Sequence, residues 1–197
     1  EEGDEVVDLA TVGERVCFLA EWEANRYVVQ FAKGDASATG TTPSQSFVYD
    51  AAQNLTANGF LKQGYAFDGW VYNGKKYADA EIVRNLAEGG TITLTATWRP
   101  FEFILRYEGN GATYGEAFTQ NITYDSDFTV RYSLFERRGY SFLHWETQDG
   151  TELEAGDEYS ANIFMADGSA RDGQEIVLNA VWQANEYMVE YRMYNMG

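Results

Sequence analysis

The chain has 197 residues, a formal net charge of −17, 16% aromatic residues, one cysteine and one histidine. That acidic balance excludes a nucleic-acid binder, which needs clustered Lys and Arg against phosphate, and it speaks against an anionic membrane surface. A lone cysteine excludes an intrachain disulfide, a lone histidine excludes a multi-His metal site, and no apolar run approaches the ~20 residues of a membrane span.

In chain order, the first readable element is Val16-Cys17-Phe18-Leu19-Ala20-Glu21-Trp22. Alternation puts Phe18, Ala20 and Trp22 on one strand face and Cys17 on the other, where it reads as a structural residue. Period two then predicts strands at Tyr27–Phe31, Phe47–Tyr49, Phe67–Tyr72 and Ile92–Trp98. Asn73-Gly74 between aromatic strand residues predicts a hairpin turn with positive φ at both positions. Asp79–Leu86 reads as a short helix, capped by Asp79, with Ile82, Val83 and Leu86 facing the core.

The same series then starts again. Strands are predicted at Phe103–Tyr107, Ile122–Tyr124, Phe142–Thr147 and Ile176–Trp182. Gly64-Tyr65-Ala66-Phe67-Asp68-Gly69-Trp70 aligns with Gly139-Tyr140-Ser141-Phe142-Leu143-His144-Trp145 at an offset of 75. Phe60 and Phe135 keep that offset, as do Phe47–Asp50 and Ile122–Asp125. Ile92–Trp98 and Ile176–Trp182 align at 84, so nine residues are inserted after Trp145, placed around Asp167–Gly173. Tyr187, Val189 and Tyr191 open the series a third time.

The expected organisation is therefore tandem small domains. Residues 1–22 are the end of a preceding repeat, 24–98 repeat one, 100–182 repeat two with an inserted loop near 165–173, and 186–197 the first strand of a following repeat. Linkers of four residues, such as Arg99–Glu102, predict a stiff rod. The closing strand copies and the opening strand at 187–197 offer a head-to-tail pairing between molecules, although a monomer is expected.

The pattern Gly-Tyr-x-Phe-x-Gly-Trp, followed by Leu-x-Ala-x-Trp (Leu94–Trp98 and Leu178–Trp182), resembles the Listeria–Bacteroides repeat of the internalin B-repeat type. The resemblance covers essentially the whole chain. It implies a mainly β, β-grasp-like fold, each repeat a mixed twisted sheet with at most one short helix. It also implies an extracellular, cell-surface or cell-wall location in a prokaryote, a spacer or receptor-binding role, and no catalytic residues. Repeat two departs from the pattern with His144 in place of a glycine and with its insertion.

No catalytic, cofactor or metal residues are assigned. His144, between Leu143 and Trp145 in a strand, reads as a packed or rim residue. The acidic pairs Asp4/Glu5 and Glu152/Glu154 are not singled out among 31 acidic residues. Asp167–Gly173 carries oxygen donors but lacks the spacing and terminal Glu of a Ca²⁺ loop. The Asn54 and Asn121 sequons carry little meaning in a prokaryote. The Trp series reads as core packing. The function expected is a non-catalytic stalk or spacer whose partners are neighbouring repeats. The alternative is an adhesin that binds a host glycoprotein, mucin or glycan through exposed tyrosines such as Tyr72, Tyr77, Tyr114 and Tyr132.

Overall fold

The computed structural model describes residues 13, 15, 17–165, 168 and 170–193. Its main sheets are two copies of one mixed topology. Repeat one contributes β1 (Arg26–Ala32), β2 (Gln45–Val48), β3 (Tyr65–Tyr72), β4 (Lys75–Tyr77) and β5 (Gly90–Pro100). Repeat two contributes β6 (Glu102–Glu108), β7 (Phe118–Thr123), β8 (Tyr140–Thr147), β9 (Glu152–Leu153) and β10 (Glu175–Ala184). The strand orders are β2-β1-β5-β3-β4 and β7-β6-β10-β8-β9. The last long strand of each repeat thus runs between the first and the third, parallel to the first and antiparallel to the third. The chain is mainly β and tandem, and all eight predicted sheet strands of the two repeats are present.

Alternation explains the burial. In β5, Ile92, Leu94 and Ala96 are buried while Thr91 and Thr93 are exposed, as expected for a sheet with one covered face. A tryptophan anchors each core. Trp70 is fully buried against Phe31 (4.7 Å between centroids), Phe67 (4.8 Å) and Phe60 (6.0 Å). Trp145 is fully buried against Tyr107 (4.9 Å), Phe142 (4.9 Å) and Phe135 (6.2 Å). Edge-on and tilted arrangements of this kind match the ring quadrupoles and add to the area buried. The closing tryptophans are half-buried, and each is tied back by its indole N–H. Trp98 donates to the Lys33 carbonyl (2.8 Å) and Trp182 to the Gly109 carbonyl (2.9 Å). The start of each repeat is thereby latched onto its final strand.

The predicted turn at Asn73-Gly74 forms, with φ of 48° and 75° and Tyr72 paired to Lys75. The predicted helix over Asp79–Leu86 does not. Ile82 and Val83 pair instead with Asn54 and Gln53. Ala80 and Asn85 take positive φ (52° and 54°), which a right-handed helix forbids. The Asp79 carboxylate, expected as a cap, accepts the Asn58 N–H (2.7 Å). In repeat two the corresponding stretch ends in a 3-10 helix, Ala161–Met165. Asn85 and Asn162 do the same work in both copies. Each side chain accepts the backbone N–H of Asp50 or Asp125 (2.6 and 2.8 Å) and donates to that residue's carboxylate (2.9 Å in both).

The strands predicted at Val16–Trp22 and Tyr187–Tyr191 are not formed. Val16 and residues 194–197 lie outside the described residues. Residues 17–25 and 185–193 carry no strand, and Phe18, Trp22, Tyr187 and Tyr191 are exposed. The closing strands β5 and β10 are held by hydrogen bonds on both edges. The copies at 17–22 and 187–191 have neither neighbour, and an isolated strand has nothing to satisfy its backbone.

The two anchoring tryptophans differ in one bond. The Trp145 indole N–H donates to the Arg131 carbonyl (2.8 Å), whereas the buried Trp70 N–H has no partner. Replacing either by Ala should cost roughly 3–5 kcal/mol. Replacing Trp145 by Phe should cost about 1–2 kcal/mol more than replacing Trp70 by Phe, because only the former breaks a bond and strands a carbonyl. Hydrogen-exchange mass spectrometry, resolved to each repeat, checks the order.

Candidate functional site at the repeat junction

A set of specific polar contacts lies where repeat one meets repeat two. Strand β5 ends at Pro100 and β6 begins at Glu102, so the four-residue linker shrinks to one residue outside strand structure, Phe101. Its backbone is fully engaged. The Phe101 N–H donates to the Gly64 carbonyl (2.8 Å), and its own carbonyl accepts from the Tyr124 N–H (2.9 Å).

Side chains fasten the two sides of this residue. Tyr65, at the start of β3, donates its hydroxyl to Asp125 in repeat two (2.5 Å). Its ring meets the ring of Tyr124 edge-on, 5.6 Å between centroids. Asp125 uses its other oxygen to accept from Asn162, so one carboxylate closes the Asn–Asp clamp and the junction together. Gly64 is required here. Its φ is +76°, and an added Cβ would lie 2.3 Å from the Tyr124 ring.

On the other side, Arg99 makes a two-pronged bond to Asp172, one prong at 3.0 Å. Asp172 also accepts the Glu102 N–H (3.0 Å), and the Gly173 N–H donates to the Glu102 carbonyl (2.8 Å). The paired fork geometry of guanidinium and carboxylate fixes orientation as well as adding energy. The insertion of repeat two therefore supplies a clasp for the junction. The offset between repeats is 75 at Trp70/Trp145, 77 at Asn85/Asn162 and 84 at Ile92/Ile176, so seven of the nine extra residues fall after Asn162. Asp167 lies outside the described residues; Asp172 is committed to Arg99 rather than to a cation loop.

The electrostatics follow from these contacts. The hydrogen bond to Asp125 pushes the Tyr65 hydroxyl up to about 12. The same bond, with that from Asn162, holds the Asp125 carboxyl below its ordinary value. Arg99 does likewise for Asp172. Beneath Tyr65, Lys62 stands 3.7 Å from the ring centroid and 2.8 Å from Asp35, whose carboxyl it lowers. Repeat two carries this arrangement at its own far end. Arg137 stands over Tyr140 (4.0 Å), and the Asn185 N–H donates to the Gly139 carbonyl (2.8 Å), as Phe101 does to Gly64.

The two tandem segments thus share topology, latch, clamp and exit geometry. The chain belongs to the Listeria-Bacteroides repeat domain family. The family matches residues 27–97 and 103–166. A curated relative from Evansella cellulosilytica, named "Putative membrane protein", is 29% identical over 186 residues. The match covers 90% of this chain but 25% of that relative. No helix among the described residues is long and apolar enough to cross a membrane.

Within this Listeria-Bacteroides repeat pair, the other sequence candidates are scattered. Cys17 is an exposed free thiol. Asp4 and Glu5 lie outside the described residues. Glu152 faces Glu146 across the β8–β9 pair, and Glu154 lies beyond that strand. Of the four tyrosines expected at the surface, Tyr114 and Tyr132 are exposed, Tyr72 is half-buried and Tyr77 is core. Tyr77 follows two exposed lysines in β4 and points inward. The junction residues Tyr65, Arg99, Asp125 and Asp172 were not picked out from sequence. The signal available was Asp125, which aligns with Asp50 and shares its positive φ (58° and 64°).

Two outcomes are expected. Gly64→Ala should loosen the junction without unfolding either core, seen as faster hydrogen exchange at Phe101 and Tyr124 while Leu94 and Leu178 stay protected. The raised Tyr65 contributes stability that is full below the free tyrosine value of about 10 and is lost as pH climbs through about 12. The lowered Asp125 contributes above the free aspartate value and is lost as pH falls through its depressed folded value. Tyr65→Phe should flatten the alkaline limb of a thermal-denaturation series; an unchanged limb would contradict the assignment.

Proposed function

We propose that this chain is a non-catalytic spacer segment of a multi-domain prokaryotic surface protein, in which repeats are joined stiffly enough to project another domain. The observation that carries this reading is the junction. One residue separates the strands of successive repeats, and its backbone and both flanks are bonded. A flexible tether would leave such groups to water. The family is one of repeats and not of enzymes, and the name of the Evansella relative is consistent with a surface-associated protein. The strand order, with first and last strands parallel at the centre, supports kinship with β-grasp folds. The likeness between Lys62/Tyr65 and Arg137/Tyr140 supports the same joint recurring along an array.

A second reading, an adhesin module, has support from Tyr114 and Tyr132, which stand 67% and 71% exposed. A glycan array or mucin pull-down with the tandem chain tests it.

The spacer reading is tested by distance measurement. Spin labels at Lys75→Cys and Glu116→Cys, in a Cys17→Ser background, should give one narrow distance distribution. Adding Asp172→Ala and Tyr65→Phe should broaden it. A broad distribution in the parent chain would defeat the reading. Scattering should also give a radius of gyration well above the roughly 16 Å of a compact body of this length.

A further inference from the structure

We propose that His144, Glu146 and Glu152 form a binding site for a divalent transition-metal ion of the zinc class on the edge hairpin of repeat two. Trp145 points into the core; Glu146 follows it on the other face by alternation, and His144, in the register shift between Phe142 and Trp145, has its donor nitrogen near the Glu146 carboxylate. Glu152 stands directly across from Glu146 in the β8–β9 register. The donor atoms of the three side chains lie within 4.8 Å of one another. The imidazole Nε2 is 3.9 Å from an oxygen of each glutamate.

Two features lack an explanation in the protein alone. His144 is 8% exposed, and its Nε2 is buried with no hydrogen-bond partner. At 3.9 Å it reaches neither carboxylate as a donor. A buried polar nitrogen left in this way is costly. Second, two carboxylates face each other directly across an antiparallel pair, which is destabilising for like charges. A cation between the three groups resolves both.

The geometry suits such an ion. A point shared by three atoms at these separations lies at most about 2.5 Å from each, and Zn²⁺ bonds run about 2.0–2.2 Å. The adjustment falls to the glutamates, whose side chains are 43% and 66% exposed and free to swing inward. An imidazole in the donor set selects zinc-like ions over Ca²⁺ and Mg²⁺, which take oxygen. Three protein donors leave a position for water or an outside ligand.

Repeat one supplies an internal control. At the positions of His144, Glu146 and Glu152 it carries Gly69, Val71 and Lys76, the last two paired across its own hairpin. The Lys76 side chain passes the space over Gly69, with Cε 3.1 Å from where a Cβ would stand, and its ammonium binds Asp68 (2.6 Å). The same hairpin thus folds without the triad and with a built-in cation. All three donor positions are exchanged together, which packing alone does not require.

The test is zinc titration calorimetry on the full chain in a Cys17→Ser background, in a non-chelating buffer. One ion per chain is expected, with Kd on the order of 1–10 μM. Glu146→Gln, Glu152→Gln and His144→Gly should each weaken binding at least tenfold. His144→Gly restores the residue used by repeat one, and unchanged circular dichroism certifies the fold of each variant. X-ray absorption on the zinc-loaded chain should show nitrogen and oxygen donors and no sulfur. No uptake at 100 μM zinc overturns the proposal, as does uptake that all three variants leave unchanged.

Discussion

Each repeat is closed by threading its last strand between its first and third. That placement is the constraint from which the rest follows. A strand at an edge could end anywhere, but β5 and β10 must satisfy hydrogen bonds on both sides. Their inward residues fill the centre of the core, where Leu94 and Leu178 are fully buried. The parallel pairing joins residues 63 positions apart in repeat one and 71 in repeat two, so it forms only when the intervening strands are in place. Non-local contacts of this kind make folding slow but closure all-or-none within a repeat.

The same constraint sets the geometry of the array. Because the closing strand is central, the chain leaves repeat one from mid-sheet and enters repeat two within a residue. Phe101 has no room to act as a hinge: its N–H and carbonyl are taken by Gly64 and Tyr124. The flanking contacts, Tyr65 with Asp125 and Arg99 with Asp172, are partly exposed and individually modest. Their effect comes from their placement on opposite sides of one residue, which resists bending in more than one direction. On the spacer reading, stiffness comes from this geometry more than from large binding energy.

What the sequence reveals and what it hides follow from range. Period-two alternation is local, and it placed the four long or central strands of each main sheet; the short edge strands β4 and β9 carry too few residues to show a period. Self-comparison extended this to the tandem arrangement of two family segments. The failures need distant partners. Asp79–Leu86 has helical spacing of apolar residues, yet Gln53–Asn54 and the Asn85–Asp50 clamp pull it into a bridge. Cys17–Trp22 keeps the strand pattern but pairs with no neighbour among the described residues. The junction was invisible because Tyr65 and Asp125 are 60 positions apart and each looks like ordinary surface. The aromatic series pointed the right way for Trp70 and Trp145. It misled for Tyr77, because a three-residue strand opened by two lysines is too short to show which face is inward.

Comparing the two copies separates what the fold needs from what it merely carries. The indole latch, the Asn–Asp clamp and the cation over tyrosine appear in both, so they belong to the architecture. Apart from the Trp145 indole bond to Arg131, the departures of repeat two described above fall in two places: the insertion, whose Asp172 grips the linker, and the His144 hairpin at the sheet edge. A core with a tryptophan locked by four aromatic neighbours tolerates little change of volume, whereas an edge hairpin and a loop are free to vary. New chemistry in an array of this kind therefore has to arise at edges and joints. The one histidine in the chain sits at such an edge, in the position where the first repeat keeps only a hydrogen atom.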